Sequence, residues 1–399
     1  MSGRTTKGAS PAPPAPVPPP GLPPPVPGTG RSYARALWRI SSADVSPGNA
    51  VMLYSDGDRT FDAMLDLIAS AELSVEMEAY ILRDDAVGER FAQALGSAAE
   101  RGVNVRLLGD WVGMRGTSGA FLDRMRSRGV DVRVFSPPGW RAWFGLIPRD
   151  HRKLLVADGR VGFTGGIGIG LEWYRGLVRK RRAAWRDRSV RIEGPAAVDM
   201  ERAFNSMWRR AAGHRLSREE RRLRRAPRNA DLDPATAPPS LVAIVEGEPG
   251  RYRVARAFHV QAAAAQRSIW LASAYFLPSF AEVDALAGAA RDGVDVRLLV
   301  PSRNDHPWVH RATRRYYRRL LANGVRIWEW RGEMMHAKTS VVDGTWTRVG
   351  STDFNPLGVA INYELDAYIN DLAVAQEAEE LFLLDLEQSR EIKAPPRGA

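Results

Sequence analysis

The order of strand and helix patterns in this 399-residue chain occurs twice, and this duplication constrains the fold more than any other feature. Residues 102–108 read Gly-Val-Asn-Val-Arg-Leu-Leu, and residues 293–299 read Gly-Val-Asp-Val-Arg-Leu-Leu. Likewise, Ala-Tyr-Ile-Leu at residues 79–82 returns as Ala-Tyr-Phe-Leu at residues 274–277. Short apolar strands that alternate with helical patterns are typical of α/β folds. The sequence therefore predicts two copies of one α/β unit.

The predicted fold is a duplicated, two-lobed α/β fold with mostly parallel sheets, helices on their faces, and a pseudo-two-fold site at the lobe interface. The first lobe is expected at residues 31–208 and the second at 241–399. A basic and Pro-rich connector, residues 209–240, lies between them, because residues 209–228 hold nine arginines against two glutamates. Residues 1–30 are expected to be a disordered Pro-rich tail.

The charge balance indicates a polyanionic partner. The formal net charge is +11 and the isoelectric point is near 10.2, which favours nucleic acid, an anionic membrane surface or a phosphorylated substrate. The absence of cysteine excludes disulfides, thiolate nucleophiles and thiolate metal sites. With no apolar run of about eighteen residues and no signal-like N-terminus, neither a spanning helix nor secretion is expected.

Two of the five lysines occupy the same small motif. His-Arg-Lys at 151–153 is followed by Asp158, and His-Ala-Lys at 336–338 is followed by Asp343, so both copies read H-x-K-x4-D. On a strand, residues i and i+2 face the same side, so each histidine and lysine should point into one space. Two such copies related by a pseudo-two-fold would converge two imidazoles and two ammonium groups. That set suits in-line displacement at phosphorus, which needs a nucleophile, an acid and cations.

These motifs resemble those of the phospholipase D superfamily, and the resemblance extends over residues 48–389. Within the superfamily the chain is most similar to bacterial cardiolipin synthases and their phospholipase D-like relatives. The supporting segments are Trp185-Arg186-Asp187, residues 191–195 and 275–278, Gly350-Ser351 and Asn362-Tyr363-Glu364.

The resemblance implies a role for each motif residue. His151 would form a phosphohistidine, His336 would act as acid and then base, and Lys153 and Lys338 would bind the phosphate. No metal and no cofactor is implied.

The resemblance also implies an acidic residue that orients each histidine. Glu364 fits that position in lobe two, and Asp187 is the candidate in lobe one. The motif aspartates Asp158 and Asp343 belong to the candidate catalytic set, although a structural role is favoured for both.

Substrate contacts are expected from the small residues after each motif, Gly166 and Ser351. Where the resemblance implies an asparagine seventeen residues after each motif histidine, this chain has Gly168 and Asp353. Asn355 is the candidate replacement as a phosphate donor.

An aromatic segment precedes the first motif and carries Trp140 and Trp143. Aromatic residues interleaved with arginine suit insertion at a lipid headgroup boundary, so both tryptophans are candidate lipid contacts. The alternative is a loop packed into the core.

The leading hypothesis is a phosphatidyltransferase of cardiolipin synthase type, a monomer on the cytoplasmic face of the membrane with anionic phospholipids as partners. With water as acceptor, the same site would be a phospholipase D. A nucleic-acid phosphodiesterase is a second alternative, although no nucleic-acid partner is expected. The third is a non-enzymatic binder of anionic membranes.

Overall fold

The computed structural model describes residues 36–37, 39–137, 148–175, 183–213 and 240–393. The Pro-rich tail and residues 214–239 of the connector lie outside the described residues. So does the aromatic segment with Trp140 and Trp143.

Between residues 45 and 211, the described part of the chain forms seven strands and four helices. They are β1 Val45–Tyr54, α1 Gly57–Ser70, β2 Ser74–Ala79, α2 Ala86–Glu100, β3 Asn104–Asp110, α3 Gly119–Ser127, β4 Asp131–Phe135, β5 Lys153–Ala157, β6 Val161–Gly165, β7 Ser189–Glu193 and α4 Pro195–Ala211. A short 3-10 turn, Leu171–Trp173, lies between β6 and β7.

The second half repeats this order. Its elements are β8 Ser240–Gly247, α5 Arg253–Ala264, β9 Ser268–Ser273, α6 Phe280–Arg291, β10 Asp295–Pro301, α7 Pro307–Ala322, β11 Arg326–Trp330, β12 Lys338–Val342, β13 Trp346–Gly350, β14 Glu364–Asn370, α8 Leu372–Glu387 and β15 Ser389–Ile392. The predicted duplication of an α/β unit is confirmed.

Local chemistry explains where the repeated elements begin. Asp85 caps α2 by accepting from the backbone N–H groups of its first turn, and Ser279 caps α6 in a capping box with Glu282. Gly102 and Gly293 enter β3 and β10 at a φ of +92°, which L side chains rarely adopt. The echoed Gly-Val pairs are thus the left-handed turns between a helix and its following strand.

The fifteen strands of the described residues form one continuous sheet, in the order β15-β11-β10-β9-β12-β13-β14-β8-β1-β7-β6-β5-β2-β3-β4. The expectation of mostly parallel sheets is wrong. Among the described strands, parallel pairing joins only β2 to β3 to β4 and β9 to β10 to β11. The hairpins that follow each motif are antiparallel, because tight turns return the chain directly. The central β8–β1 pair, which joins the two halves, is antiparallel as well.

The two halves share a core as well as a sheet. A buried apolar cluster combines Ile192 and Phe204 of the first half with Val242 and Ile369 of the second, and all four are fully buried. The lobes are therefore held together by apolar packing at the point where their motifs meet. Within the described residues, no helix is long and apolar enough to cross a membrane.

Candidate active site

The two motif lysines begin equivalent strands on either side of the sheet centre. Lys153 opens β5 and pairs with Ala79 of β2, whereas Lys338 opens β12 and pairs with Ser273 of β9. Each motif histidine lies two residues earlier, at the edge where the chain enters the strand. The equivalent registers give the two motifs a pseudo-two-fold relationship.

The backbone of each motif histidine is bonded to the opposite lobe. The N–H of His151 donates to the carbonyl of Tyr363 at 2.9 Å, and the N–H of His336 donates to the carbonyl of Arg186 at 2.6 Å. Tyr363 directly precedes Glu364, and Arg186 directly precedes Asp187. These bonds bring each acidic residue to the histidine of the other lobe.

The side chains of the motif histidines also contact the opposite lobe. Nδ1 of His151 lies 3.0 and 3.1 Å from the carboxyl oxygens of Glu364, and Nδ1 of His336 lies 2.8 Å from Oδ2 of Asp187. The expectation that each acid orients the histidine of its own lobe is therefore wrong. Glu364 and Asp187 both lie beside a motif histidine, but the partners are crossed because β7 and β14 start at the interface, facing the other motif. Their part in catalysis stays a prediction.

Each carboxyl group is held by a different donor. The hydroxyl of Ser351 donates to Glu364, and the indole Nε1 of Trp173 donates to Asp187 at 2.9 Å. Gly166 occupies the position equivalent to Ser351, where a Cβ would lie 2.2 Å from a carboxyl oxygen of Asp187. The structure thus places Gly166 and Ser351 against the carboxyl groups, and their contact with substrate stays a prediction.

The two lysines lie beside their own histidines. Nζ of Lys153 donates to the carbonyl of His151 at 2.6 Å. Nζ of Lys338 donates to the carbonyl of His336 at 2.8 Å and lies 3.0 Å from Nε2 of the same ring. In the free protein, Nε2 of His336 is therefore an acceptor occupied by the ammonium group.

Two tyrosines complete the pseudo-symmetric site, and sequence reasoning missed their role. The Tyr80 ring packs 4.6 Å from the His151 ring and 5.1 Å from Nζ of Lys153. The Tyr275 ring packs 5.8 Å from the His336 ring and 5.5 Å from Nζ of Lys338. Their signal was present in the echoed Ala-Tyr-x-Leu segments.

Burial dominates the electrostatics of the site. It lowers the pKa of His151 and of His336 well below the ordinary value, and the charges of both motif lysines lower each pKa further. Burial also lowers the pKa of Lys153 to about 8. The charge of the lysine in each motif lowers the pKa of the histidine in the other motif, so the two motifs form one site.

The two carboxyl groups differ in pKa. Burial raises the pKa of Glu364 to about 8 and that of Asp187 to about 6. Glu364 therefore holds its proton more tightly than Asp187 does, although the geometry of the site is duplicated.

Gly168 stands where the resemblance implied asparagine, and the structure gives a steric reason. A Cβ at this position would lie 2.8 Å from a ring carbon of Trp173 and 3.0 Å from Cβ of Ile81. The buried indole that supports Asp187 thus fills the space that a larger side chain would need.

Asp353, at the equivalent position of the second lobe, faces the site. Its carboxyl group lies 3.4 Å from Nζ of Lys338 and accepts from the N–H of Tyr275. Asn355, the candidate replacement for the missing donor, is bonded to the backbone. Its amide donates to the carbonyl of Tyr275 and accepts from the N–H of Gly358, and its contact with a phosphate stays a prediction.

The motif aspartates hold turns. Asp158 and Asp343 have φ values of +53° and +55°, and each accepts several backbone N–H groups from the segment before the neighbouring strand. The donors are Glu72, Leu73 and Ser74 for the first and Gln266, Arg267 and Ser268 for the second. These contacts favour the structural interpretation of both residues.

The repeated α/β unit, with one histidine–lysine motif in each copy, is the arrangement expected of the phospholipase D superfamily, which the sequence motifs resemble. A family model described as "Cardiolipin synthase, PLD-like domain" matches residues 64–208 and 260–386. The cardiolipin synthase of Geobacillus kaustophilus is 33% identical over 351 residues, which cover 85% of this chain and 66% of that protein. The cardiolipin synthase of Listeria welshimeri is 31% identical over 352 residues, which cover 88% of this chain and 71% of that protein. The chain belongs to this family of cardiolipin synthase, PLD-like proteins.

The chain is shorter than some of these relatives, since it spans 66% and 65% of the length of the Geobacillus kaustophilus and Geobacillus thermodenitrificans proteins. Two solved structures share the fold. Phosphatidylserine synthase of Haemophilus influenzae Rd KW20 aligns with a TM-score of 0.69 and 14% identity, covering 91% of this chain and 92% of that one. Polyphosphate kinase from Porphyromonas gingivalis aligns with a TM-score of 0.55 and 14% identity, covering 87% of this chain and 48% of that one.

Proposed function

We propose that this protein is a phosphatidyltransferase of cardiolipin synthase type, which moves a phosphatidyl group from one phospholipid to the glycerol hydroxyl of another. The observation that carries the proposal is the pair of crossed histidine–carboxyl contacts with a lysine beside each histidine. The curated relatives named cardiolipin synthase support the choice of phospholipid as substrate.

In the first step, Nε2 of His151 attacks the phosphorus atom of the donor lipid. A P–N bond forms, the P–O bond to the leaving alcohol breaks, and His336 gives that oxygen its proton. Two contacts support this division of roles. Glu364 occupies Nδ1 of His151 and leaves Nε2 as the attacking atom, whereas Nε2 of His336 already accepts from Lys338.

His336 must be protonated to act as an acid, although its pKa is lowered well below the ordinary value in the free protein. Binding of the phosphodiester raises the pKa of His336 again. Its negative charge beside Lys153 and Lys338 offsets the two charges that depress the pKa, and ionised Asp187 at Nδ1 stabilises the imidazolium.

In the second step, the glycerol hydroxyl of the acceptor lipid gives its proton to His336 and attacks the phosphohistidine. The P–N bond breaks and the cardiolipin diester is released. If water takes the place of this hydroxyl, the same steps give phosphatidic acid. The acceptor that reaches the site therefore decides between transfer and hydrolysis.

The proposal includes a location and partners. A monomer with internal pseudo-symmetry would act at the cytoplasmic face of the membrane on anionic phospholipids, and no nucleic-acid partner is expected. The net charge of +11 favours an anionic surface. Trp140 and Trp143 are proposed to insert at the headgroup boundary, and both lie outside the described residues.

Lipid mass spectrometry of the purified protein with phosphatidylglycerol, with and without phosphatidylethanolamine, tests the proposal. Cardiolipin should form from phosphatidylglycerol, and a His151→Ala, His336→Ala double variant should form none. Phosphatidic acid as the sole product would identify a hydrolase instead. If neither product appears while the protein binds the vesicles, the transferase proposal fails.

A further inference from the structure

Helix α7, Pro307–Ala322, begins at the rim of the candidate active site. The hydroxyl of Tyr275, whose ring packs on His336, donates to Asp305 at 2.8 Å. The His306 ring lies 6.0 Å from the Tyr275 ring. Because Asp305 and His306 directly precede α7, the N-terminal end of this helix lies beside the second motif.

One face of α7 carries an exposed tryptophan followed by exposed arginines. Trp308 is 62% exposed, and Arg311, Arg315 and Arg318 follow it at spacings of three, four and three residues, which place all four on one stripe. We call these four residues the α7 stripe. At 1.5 Å per residue it extends roughly 15 Å away from the site.

The packing face of α7 lies elsewhere on the helix. Its buried residues, Val309, Thr313, Tyr317 and Leu320, face the core of the second lobe. The remaining arginines are neutralised within the lobe, since Arg314 pairs with Glu329 and Arg319 pairs with Asp284. Within the described part of the chain, no carboxylate lies within ion-pair distance of the stripe arginines.

We propose that the α7 stripe docks the protein onto an anionic phospholipid bilayer, with Trp308 at the headgroup boundary next to the site entrance. The inference rests on the proposed lipid substrate and names the surface that presents it. Three uncompensated arginines match the negative surface of such a bilayer, and tryptophan prefers the membrane–water boundary. A helix that lies along the surface in this way brings Tyr275 and His336 toward the headgroups.

Charge removal tests the arginines. The triple variant Arg311→Gln, Arg315→Gln, Arg318→Gln should bind phosphatidylglycerol vesicles roughly 100-fold more weakly than wild type at low ionic strength. The matched control, Arg90→Gln, Arg124→Gln, Arg326→Gln, lowers the net charge equally but removes arginines that are already ion-paired. We expect less than about threefold weakening for this control.

A single introduced cysteine locates the contact. Because the chain has no cysteine, Trp308→Cys gives a unique site for an environment-sensitive fluorophore. Its emission should shift to shorter wavelength with phosphatidylglycerol vesicles and not with phosphatidylcholine vesicles. Leu73→Cys, at a first-lobe position that is 68% exposed, is the control and should not respond.

Each outcome decides the inference. Wild-type vesicle binding by the stripe variant, or a silent label at position 308 on vesicle-bound protein, overturns it. If the variant loses binding to a single-stranded oligonucleotide but keeps vesicle binding, the partner is nucleic acid and the lipid assignment is wrong.

Vesicle binding needs no turnover, so a wild type that docks through the stripe but converts no lipid would refute the transferase proposal alone. Stripe variants should also turn over short-chain soluble phosphatidylglycerol at the wild-type rate.

Discussion

Glu364 of the second lobe lies 3.0 Å from Nδ1 of His151 in the first lobe, although the two residues are 213 positions apart in the sequence. Asp187 and His336 form the reciprocal contact at 2.8 Å. Each lobe thus supplies a histidine and the carboxyl group that orients the other lobe's histidine. Neither motif histidine has its carboxyl partner in its own lobe, so the site exists only when both lobes are packed together.

The crossed contacts predict that Glu364→Ala and Asp187→Ala each lower kcat by roughly 10²- to 10⁴-fold, because the imidazole loses its orienting group. KM should change little, since neither side chain is proposed to contact the lipid. Steady-state kinetics with phosphatidylglycerol check this, with the exposed Glu387→Ala as control. A rise in KM at unchanged kcat would show that these residues bind substrate instead.

The single-site arrangement predicts non-additive losses from the two histidines. His151→Ala and His336→Ala should each reduce turnover by at least roughly 10³-fold, and the double variant should be no more than about tenfold worse. Turnover measured by lipid mass spectrometry gives the residual rates. Two independent partial losses that multiply in the double variant would contradict one shared site.

The lysines are predicted to act as compact point charges. Lys153→Arg and Lys338→Arg should each lower kcat/KM by roughly 10²-fold, because a planar guanidinium does not fit a position that an ammonium group fills beside its own histidine. Lys393→Arg is the matched control at an exposed position. Wild-type kinetics for both site variants would show that charge alone suffices there.

The raised pKa of Glu364 predicts a pH-dependent stability. The folded protein keeps a proton up to about pH 8 that the unfolded chain releases near pH 4.5, so this group makes wild-type stability fall as the pH rises between those values. Glutamine cannot ionise and removes this dependence. Relative to wild type, Glu364→Gln should gain stability from pH 5 to pH 8, by at most about 1.4 kcal/mol per pH unit.

Chemical unfolding at pH 5, 6.5 and 8 measures this difference, and Glu387→Gln serves as the surface control. A stability difference between Glu364→Gln and wild type that stays constant across the range would refute the assigned protonation of Glu364.

Gly168→Asn is predicted to damage the site although it introduces the residue that the resemblance implied. The new Cβ would force Trp173 to move and would weaken its 2.9 Å bond to Asp187. We expect a loss of roughly 1–3 kcal/mol in stability together with lower kcat. Gly288→Asn, where nothing lies within 4 Å of an added Cβ, is the control. Higher activity of Gly168→Asn would show that the Trp173 indole can move aside without damage to the site.

The sequence by itself determined the repeated elements and the content of the site. The echoed Gly-Val segments predicted β3 and β10 because a left-handed glycine followed by alternating apolar residues is a local signal. The H-x-K spacing predicted that histidine and lysine share a face for the same local reason. The acids Glu364 and Asp187 were found through resemblance.

Only the tertiary structure decided how these parts combine. Local periodicity does not say which lobe an interface residue faces, so the exchange of Glu364 and Asp187 could not be predicted from their positions in the chain. Nor does it say that β8 and β1 join both halves into one sheet. The steric reason for Gly168 lies in Trp173, whose indole reaches the same space from a separate turn. These features depend on packing between segments that are distant in sequence, and side-chain volume and burial at the lobe interface fix them.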